Sequence, residues 1–187
     1  MKYKNQSLTK YLNDLSAKLS APGGGSAAAL NAAMAASLIS MVVNFTLGKP
    51  KYAAFAKELK LILTKSEKLR IECLNLVDLD VVAYQSKDIR KAIQVPLALS
   101  RLCYRAAKLC PPLIKKGNVS LISDVAVAAV FLNSAFVSAC FNLKVNLKIL
   151  GDKKLTQRIT IELKQMEEVI IKICKNMEVS FGKIIRG

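Results

Sequence analysis

Histidine is absent from this 187-residue chain, and its absence excludes more chemistry than any other feature of the composition. Without an imidazole there is no Ser-His-Asp triad, no histidine metal ligand and no histidine general base. Tryptophan is also absent and aromatic residues make up only 6% of the chain, so aliphatic side chains must fill the core. Hydrophobic residues make up 52%, and we predict a single domain over residues 1–187.

The cysteines form no C-x-x-C pair, and their number, five, is odd. They occur in apolar helical contexts, which predicts reduced core thiols in a cytoplasmic protein. A thiol nucleophile would have no histidine partner. The N-terminus, MKYKNQSLTKYL, has no signal-peptide hydrophobic region. These features predict a cytoplasmic protein with neither a metal nor a cofactor.

Acidic residues are scarce, with 13 Asp and Glu against 29 Lys and Arg, which gives a net charge of +16. A positive field of this size attracts anions such as nucleic acid, anionic lipid or polyanionic metabolites. The alternative is that lysines merely solvate the outer faces of helices. The composition leaves both interpretations open.

Charge is missing altogether from two long runs, residues 19–48 and 125–143. Both runs contain Asn and Ser, whereas membrane spans are more strongly hydrophobic over about 20 residues. A helix that is apolar on every side can instead be buried inside a helical bundle or a dimer. We therefore predict two buried, uncharged central helices and no membrane span.

Strand patterns are almost absent, and the apolar spacing is helical throughout. The sequence predicts an all-α bundle of about five to six helices, dimeric, with Ser26 capping the second helix. Pro96 is expected to start or kink the fourth helix, and Pro111 and Pro112 to break the chain. The predicted helices cover approximately residues 7–19, 26–47, 51–87, 88–109, 120–150 and 153–185.

Three consecutive glycines, Gly23, Gly24 and Gly25, precede the second predicted helix. Glycine permits a positive φ and lets a ligand approach the backbone closely. The free N–H groups at the start of the helix favour anions. If a ligand binds here, valine at Gly24 or Gly25 is expected to abolish binding. The alternative is a tight turn between two closely packed alanine-rich helices.

Three carboxylates are candidates for proton chemistry. Asp78 and Asp80 interrupt an apolar stretch, and Asp80 shares a helix face with Tyr84 four residues later. Asp124 lies in the first turn of a central helix, where the helix dipole alone would favour a carboxylate. In the absence of histidine, a carboxylate is the most available general base and Lys or Tyr the most available acid.

Asparagines in the uncharged runs are a further set of candidates. Asn44 and Thr46 lie near the end of the second helix, and Asn142 and Asn146 lie one turn apart in the fifth. A buried amide is costly unless it is hydrogen-bonded. Each of these residues therefore either contacts a ligand or links two helices.

Six motifs in a fixed order together resemble a family of folate enzymes, the cyclodeaminases and methenyltetrahydrofolate cyclohydrolases related to formiminotransferase-cyclodeaminase. The resemblance runs from about Leu8 into the last helix. After DVVAY the chain is shorter than the family pattern, because QSKDIRKAIQVPL follows at once. The motifs are APGGGSAAAL (21–30), NFTLGKPKY (44–52), DLDVVAY (78–84), VPL (95–97), KGNVSLISD (116–124) and NLKVNLKIL (142–150).

The resemblance implies an all-α homodimer with its sites near the subunit interface and a reduced-folate substrate, possibly polyglutamylated. It implies hydrolysis of 5,10-methenyltetrahydrofolate to 10-formyltetrahydrofolate. The alternatives are cyclodeamination of 5-formiminotetrahydrofolate and a non-catalytic basic dimer that binds a polyanion. The implied catalytic residues are Asp80, Asp124 and Lys116. The implied substrate-binding residues are Gly23, Gly24, Gly25, Ser26, Asn44, Thr46, Lys49, Tyr84, Asn118 and Asn142.

Overall fold

The computed structural model describes residues 2–186, and side chains over residues 2–184. No strand occurs in this range, so the all-α prediction is confirmed. Short 3₁₀ turns cover Tyr3–Asn5, Pro50–Phe55 and Val119–Leu121. The α-helices are α1 (Leu8–Ser16), α2 (Gly24–Asn44), α3 (Ala56–Gln85), α4 (Ile89–Ala107), the short α5 (Cys110–Lys116), α6 (Ile122–Leu150) and α7 (Lys153–Arg186).

The helices that contain the two uncharged runs, α2 and α6, form the centre of the bundle and run antiparallel. Alanines cover much of the buried surface of α2, which allows close packing against α3 and α6. The Asn31 side-chain amide donates to the Phe131 carbonyl across this contact at 3.2 Å. The two central helices predicted from the uncharged runs are therefore present.

The two central helices differ in the apolar surface that they expose: within α2 only Met34 is an exposed large apolar side chain, whereas α6 exposes an apolar stripe. Over an apolar 18-residue window, the buried share of the window is 61% in α2 and only 39% in the segment 119–150. By length and composition alone, both segments could cross a membrane. The outward stripe of α6 consists of Val127, Val130, Phe141, Val145 and Ile149.

The antiparallel arrangement gives the bundle two functionally distinct ends. The cleft end contains the starts of α2 and α4 and the ends of α3 and α6. The far end contains the end of α2, the short helix α5 and the start of α6. Helix α2 has 21 residues, so the two ends lie about 30 Å apart.

Two local predictions are wrong. Helix α2 begins at Gly24 with Gly23 as its N-cap, so Ser26 is not the cap. Gly23–Gly25 have no positive φ, because α2 already includes Gly24 and Gly25 and Gly23 is extended. The break between helices falls at residues 108–109, just before Pro111 and Pro112, which themselves lie in the first turn of α5, where proline's missing N–H is not needed.

All five cysteines are buried free thiols, as the sequence predicted. Burial raises the pKa of Cys73 and that of Cys110 to about 12. Such thiols are inert at neutral pH, because the thiolate is the reactive form. Over residues 2–184, no three metal-ligating side chains form a group that could hold an ion.

Candidate active site

A cleft of about 290 Å³ opens at the cleft end of the bundle. Its floor is the glycine-rich start of α2, and its walls come from α3, α4 and α6. The lining residues are Ser20, Ala21, Gly23, Gly24, Gly25, Asp80, Ala83, Tyr84, Ala92, Pro96, Asn142 and Asn146.

The Asp80 carboxylate lies directly over Gly25. A Cβ at Gly25 would be 2.7 Å from the Asp80 carboxyl carbon, so only glycine allows this approach. A Cβ at Gly24 would meet nothing within 4 Å. Of these two glycines, Gly25 is therefore the one that the carboxylate requires, and the reason is close approach rather than a positive φ.

Burial raises the pKa of Asp80 above the usual range of an aspartate, and a hydrogen bond from the Ser26 backbone N–H opposes the shift. A carboxyl group with a raised pKa both accepts and returns a proton more readily near neutral pH. Asp80 thus has the electrostatic environment expected of a general acid or base.

Behind the start of α2, a tyrosine pair supports the cleft floor. The Tyr11 and Ser26 hydroxyls are 3.2 Å apart and share a hydrogen bond. The Tyr3 and Tyr11 rings meet edge to face at 5.6 Å, and the Tyr3 hydroxyl donates to Asp14 at 3.0 Å. Ser26, predicted to bind substrate, therefore contributes its backbone N–H to Asp80 while its hydroxyl is used inside the protein.

The opposite wall of the cleft carries two asparagines and a tyrosine. Asn142 lines the cleft, and its side chain makes no hydrogen bond to any described residue. Asn146 also lines it and donates to the Ala92 carbonyl at 2.7 Å. Tyr84 is 62% exposed at the rim. These side chains, unlike Ser26, leave hydrogen-bonding groups for a ligand.

The other predicted site residues lie at the far end. Three of them already make hydrogen bonds within the chain. The Thr46 hydroxyl donates to the Val42 carbonyl at 2.6 Å and accepts from the Asn118 N–H at 2.9 Å. The Asn118 side chain in turn accepts from the Ser120 N–H at 3.3 Å. Lys116 donates to the Glu58 carboxylate at 2.6 Å. These bonds link segments at the far end, and the predicted roles of Lys116, Thr46 and Asn118 in the site stay predictions.

The remaining far-end residues, Asn44, Lys49 and Asp124, form no side-chain hydrogen bond or ion pair with the described part of the chain. Asn44 and Lys49 are exposed and Asp124 is half-buried. Asp124 lies 18 residues before Asn142 on α6, a separation of about 27 Å along the helix. One copy of the chain therefore does not bring Asp80 and Asp124 together, and the catalytic role of Asp124 stays a prediction.

The sequence profile of the family described as formiminotransferase-cyclodeaminase matches residues 7–87 and 86–165. The chain belongs to this family. The resemblance drawn from the six motifs is thereby confirmed. The two matched stretches meet at the connection between α3 and α4, where the motifs predict that this chain is shorter than the family pattern.

Relatives in this family include proteins of two named activities. A methenyltetrahydrofolate cyclohydrolase of Methylorubrum extorquens is 32% identical, and the alignment covers 89% of each chain. A formimidoyltransferase-cyclodeaminase of Rattus norvegicus is 28% identical over 78% of this chain, which spans only 31% of the rat protein. The crystal structure of a formiminotetrahydrofolate cyclodeaminase of Thermotoga maritima superimposes with a TM-score of 0.92 at 25% identity, covering 97% of this chain and 98% of that one.

Two features of this cyclodeaminase-family cleft were missed by the sequence analysis. The apolar spacing of the first helix places Tyr11 on its buried face, and nothing in the sequence shows that its hydroxyl reaches Ser26. The sequence predicts only that Pro96 starts or kinks the fourth helix, whereas in the structure it lies inside α4 and lines the cleft. For Asn146 the sequence leaves open a ligand contact or a link between helices, and the structure shows a link to Ala92 in a side chain that also lines the cleft.

Proposed function

We propose that the protein is a methenyltetrahydrofolate cyclohydrolase that converts 5,10-methenyltetrahydrofolate and water into 10-formyltetrahydrofolate. The observation on which the proposal rests is Asp80, a carboxyl group of raised pKa held against the start of α2 inside a cleft. The relative that aligns over 89% of both chains bears the name of this activity, which favours it over cyclodeamination.

In the proposed reaction, Asp80 accepts a proton from water as the water oxygen attacks the amidinium carbon between N5 and N10. Asp80 then returns this proton to N5 as the bond between carbon and N5 breaks. The second proton of the water leaves to solvent, and the formyl group stays on N10. Before the attack, the Asp80 carboxylate stabilises the positive charge of the amidinium.

The size of the cleft supports binding of the ring end of the folate. Pockets for whole drug-sized ligands measure about 300–1,000 Å³, and this one has about 290 Å³. The benzoylglutamate part would then extend past exposed Tyr84 into solvent. Its carboxylates would be attracted by the net charge of +16, and additional glutamates would strengthen that attraction.

We also propose that the protein is a homodimer in which a second copy covers the apolar stripe of α6 and the part of α2 around exposed Met34. The α6 stripe carries no charge over residues 125–143, so two chains of like charge can meet there without direct repulsion. A two-fold axis perpendicular to the antiparallel helices would place the far end of one copy beside the cleft of the other. Asn44, Lys49 and Asp124 are free to take part in such a composite site.

The activity is tested by the loss of methenyltetrahydrofolate absorbance with purified wild-type protein, Asp80→Asn protein and buffer alone. The proposal requires turnover by the wild type well above spontaneous hydrolysis, and near-background rates for Asp80→Asn. Wild-type rates equal to those of buffer would refute it.

The composite site is tested by co-expressing Asp80→Asn and Asp124→Asn chains. If each site uses Asp80 from one copy and Asp124 from the other, half of the dimers contain one intact site, so about a quarter of the wild-type turnover returns. A mixture no more active than the two single variants would refute the shared site. Sedimentation as a monomer at micromolar concentration would refute the dimer.

Cyclodeamination of 5-formiminotetrahydrofolate is the second candidate, favoured by the structural match to a protein of that name. Here N10 attacks the formimino carbon, and the nitrogen that leaves as ammonia needs a proton, which the carboxyl form of Asp80 can donate. Ammonia release from the formimino substrate, measured in parallel with absorbance, distinguishes the two reactions.

A further inference from the structure

Pro96 lies inside the continuous helix α4, one turn after Ala92. In an α-helix the carbonyl of Ala92 would accept a hydrogen bond from the N–H of residue 96. Proline has no N–H, so Pro96 leaves this carbonyl without its helical donor. Ala92 is half-buried, and a carbonyl in that state takes its hydrogen bond from outside the helix.

Asn146, on the neighbouring helix α6, supplies that partner through a 2.7 Å hydrogen bond to the Ala92 oxygen. A carbonyl oxygen only accepts hydrogen bonds, so the amide nitrogen of Asn146 must be the atom that faces it. The orientation of the Asn146 side chain is thereby fixed, and its carbonyl oxygen is the group left without a partner among the described residues.

Ala92, Pro96 and Asn146 all line the same cleft as Asp80. We infer that Asn146 is a substrate-binding residue whose side-chain oxygen accepts a hydrogen bond from an N–H of the folate ring, and that Pro96 is the positioning residue that sets this orientation. The inference rests on the proposed function, because it takes a reduced folate as the ligand.

The chemistry of the ligand matches an acceptor at this position. The reduced pterin ring carries its 2-amino group and ring N–H groups as donors, and a cleft that bonds such a donor discriminates against analogues lacking it. A purely structural contact between α4 and α6 would also use the Asn146 amide nitrogen. It would, however, give no reason for the amide to line the cleft beside Asp80.

Pro96→Ala separates the two roles, because alanine restores the N–H that the Ala92 carbonyl lacks. Helix α4 should be at least as stable, while the Asn146 amide is released from its fixed orientation. We expect an unchanged or higher melting temperature, and an affinity for 5-formyltetrahydrofolate, a stable reduced folate, that falls about tenfold by calorimetry. Pro111→Ala, at the exposed start of α5, is the matched control and should leave affinity unchanged.

The double variant Pro96→Ala/Asn146→Ala completes the test, since alanine at position 96 satisfies the Ala92 carbonyl even when Asn146 is removed. If Pro96 acts through Asn146, the double variant binds no more weakly than Asn146→Ala alone. Wild-type affinity in the double variant, or additive losses from the two substitutions, would overturn the inference alone. Absence of 5-formyltetrahydrofolate binding by the wild type would overturn the proposed function together with it.

Discussion

The two ends of the bundle contain similar polar residues in opposite states. At the far end, Thr46 and Lys116 are hydrogen-bonded within the chain. At the cleft end, Asn142 and the rim residue Tyr84 face open space, and the pKa of Asp80 is raised by burial. Polar side chains that are hydrogen-bonded within the chain contribute to stability. Those without a hydrogen-bond partner, or with a shifted pKa, are available for chemistry.

Glycines differ between the two ends in the same way. At the far end, a Cβ on Gly117 would collide with the backbone carbonyl of Leu113. Glycine at this position therefore allows the last turn of α5 to close. At the cleft end, a Cβ on Gly25 would collide with the side chain of Asp80. The close approach at Gly25 positions a titratable group, and that at Gly117 positions only backbone.

The largest expected effect is that of Asp80→Asn on turnover. Asparagine keeps the volume but removes the base, so kcat for methenyltetrahydrofolate hydrolysis should fall about 10²–10⁴-fold. The matched control is Asp78→Asn, two residues away, where the buried carboxylate accepts from the Lys4 backbone N–H at 3.3 Å and does not line the cleft. Equal losses in the two variants would show that Asp80 has no special role.

Alanine at Gly25 is expected to have the next largest effect. The new Cβ must displace the Asp80 carboxylate, and a displacement of about 1 Å at a reacting group can cost about 10²-fold in turnover. Gly24→Ala adds the same methyl group in open space on the same helix. Circular dichroism should be unchanged in both. Wild-type turnover in Gly25→Ala would separate the glycine turn from catalysis.

The sequence predicted the helices well and singled out the glycines that line the cleft, because both stand out as local patterns, although it predicted the wrong φ for those glycines. Apolar spacing sets the helices, and the motif around Gly25 and Asp80 locates the cleft. Contacts distant in sequence were not predictable: the Tyr11 hydroxyl reaches Ser26 across a turn, and Asn146 reaches Ala92 across 54 residues. The order of the motifs likewise does not show at which end of the bundle a residue lies. The sequence therefore predicts one site containing both Asp80 and Asp124, which lie at opposite ends of one chain.

Stability at the far end is tested by Thr46→Val. The substitution leaves the buried Asn118 N–H without an acceptor, which should lower the free energy of unfolding by about 1–3 kcal/mol. Affinity for 5-formyltetrahydrofolate should not change. Ser37→Ala is the control, since its exposed hydroxyl also bonds a carbonyl four residues earlier, at 2.8 Å. A loss of folate affinity in Thr46→Val would instead give Thr46 the binding role that its motif implied.

The smallest expected effect is on the pH dependence of stability, and it has opposite signs at two aspartates. The folded-state pKa of Asp80 is raised, so wild-type stability falls as the pH rises from the ordinary carboxyl pKa through the folded value. Asp80→Asn should therefore be more stable than the wild type at pH 7, with an advantage that shrinks toward pH 4. The hydrogen bond from Lys10 lowers the pKa of Asp14, so Asp14→Asn should be less stable than the wild type at pH 7, with a deficit that disappears as the pH falls through that lowered value. Urea unfolding of both variants across this pH range measures the two slopes. Slopes of the same sign would mean that Asp80 does not pay a burial penalty in the cleft, and its proposed readiness to exchange a proton near neutral pH would lose its physical basis.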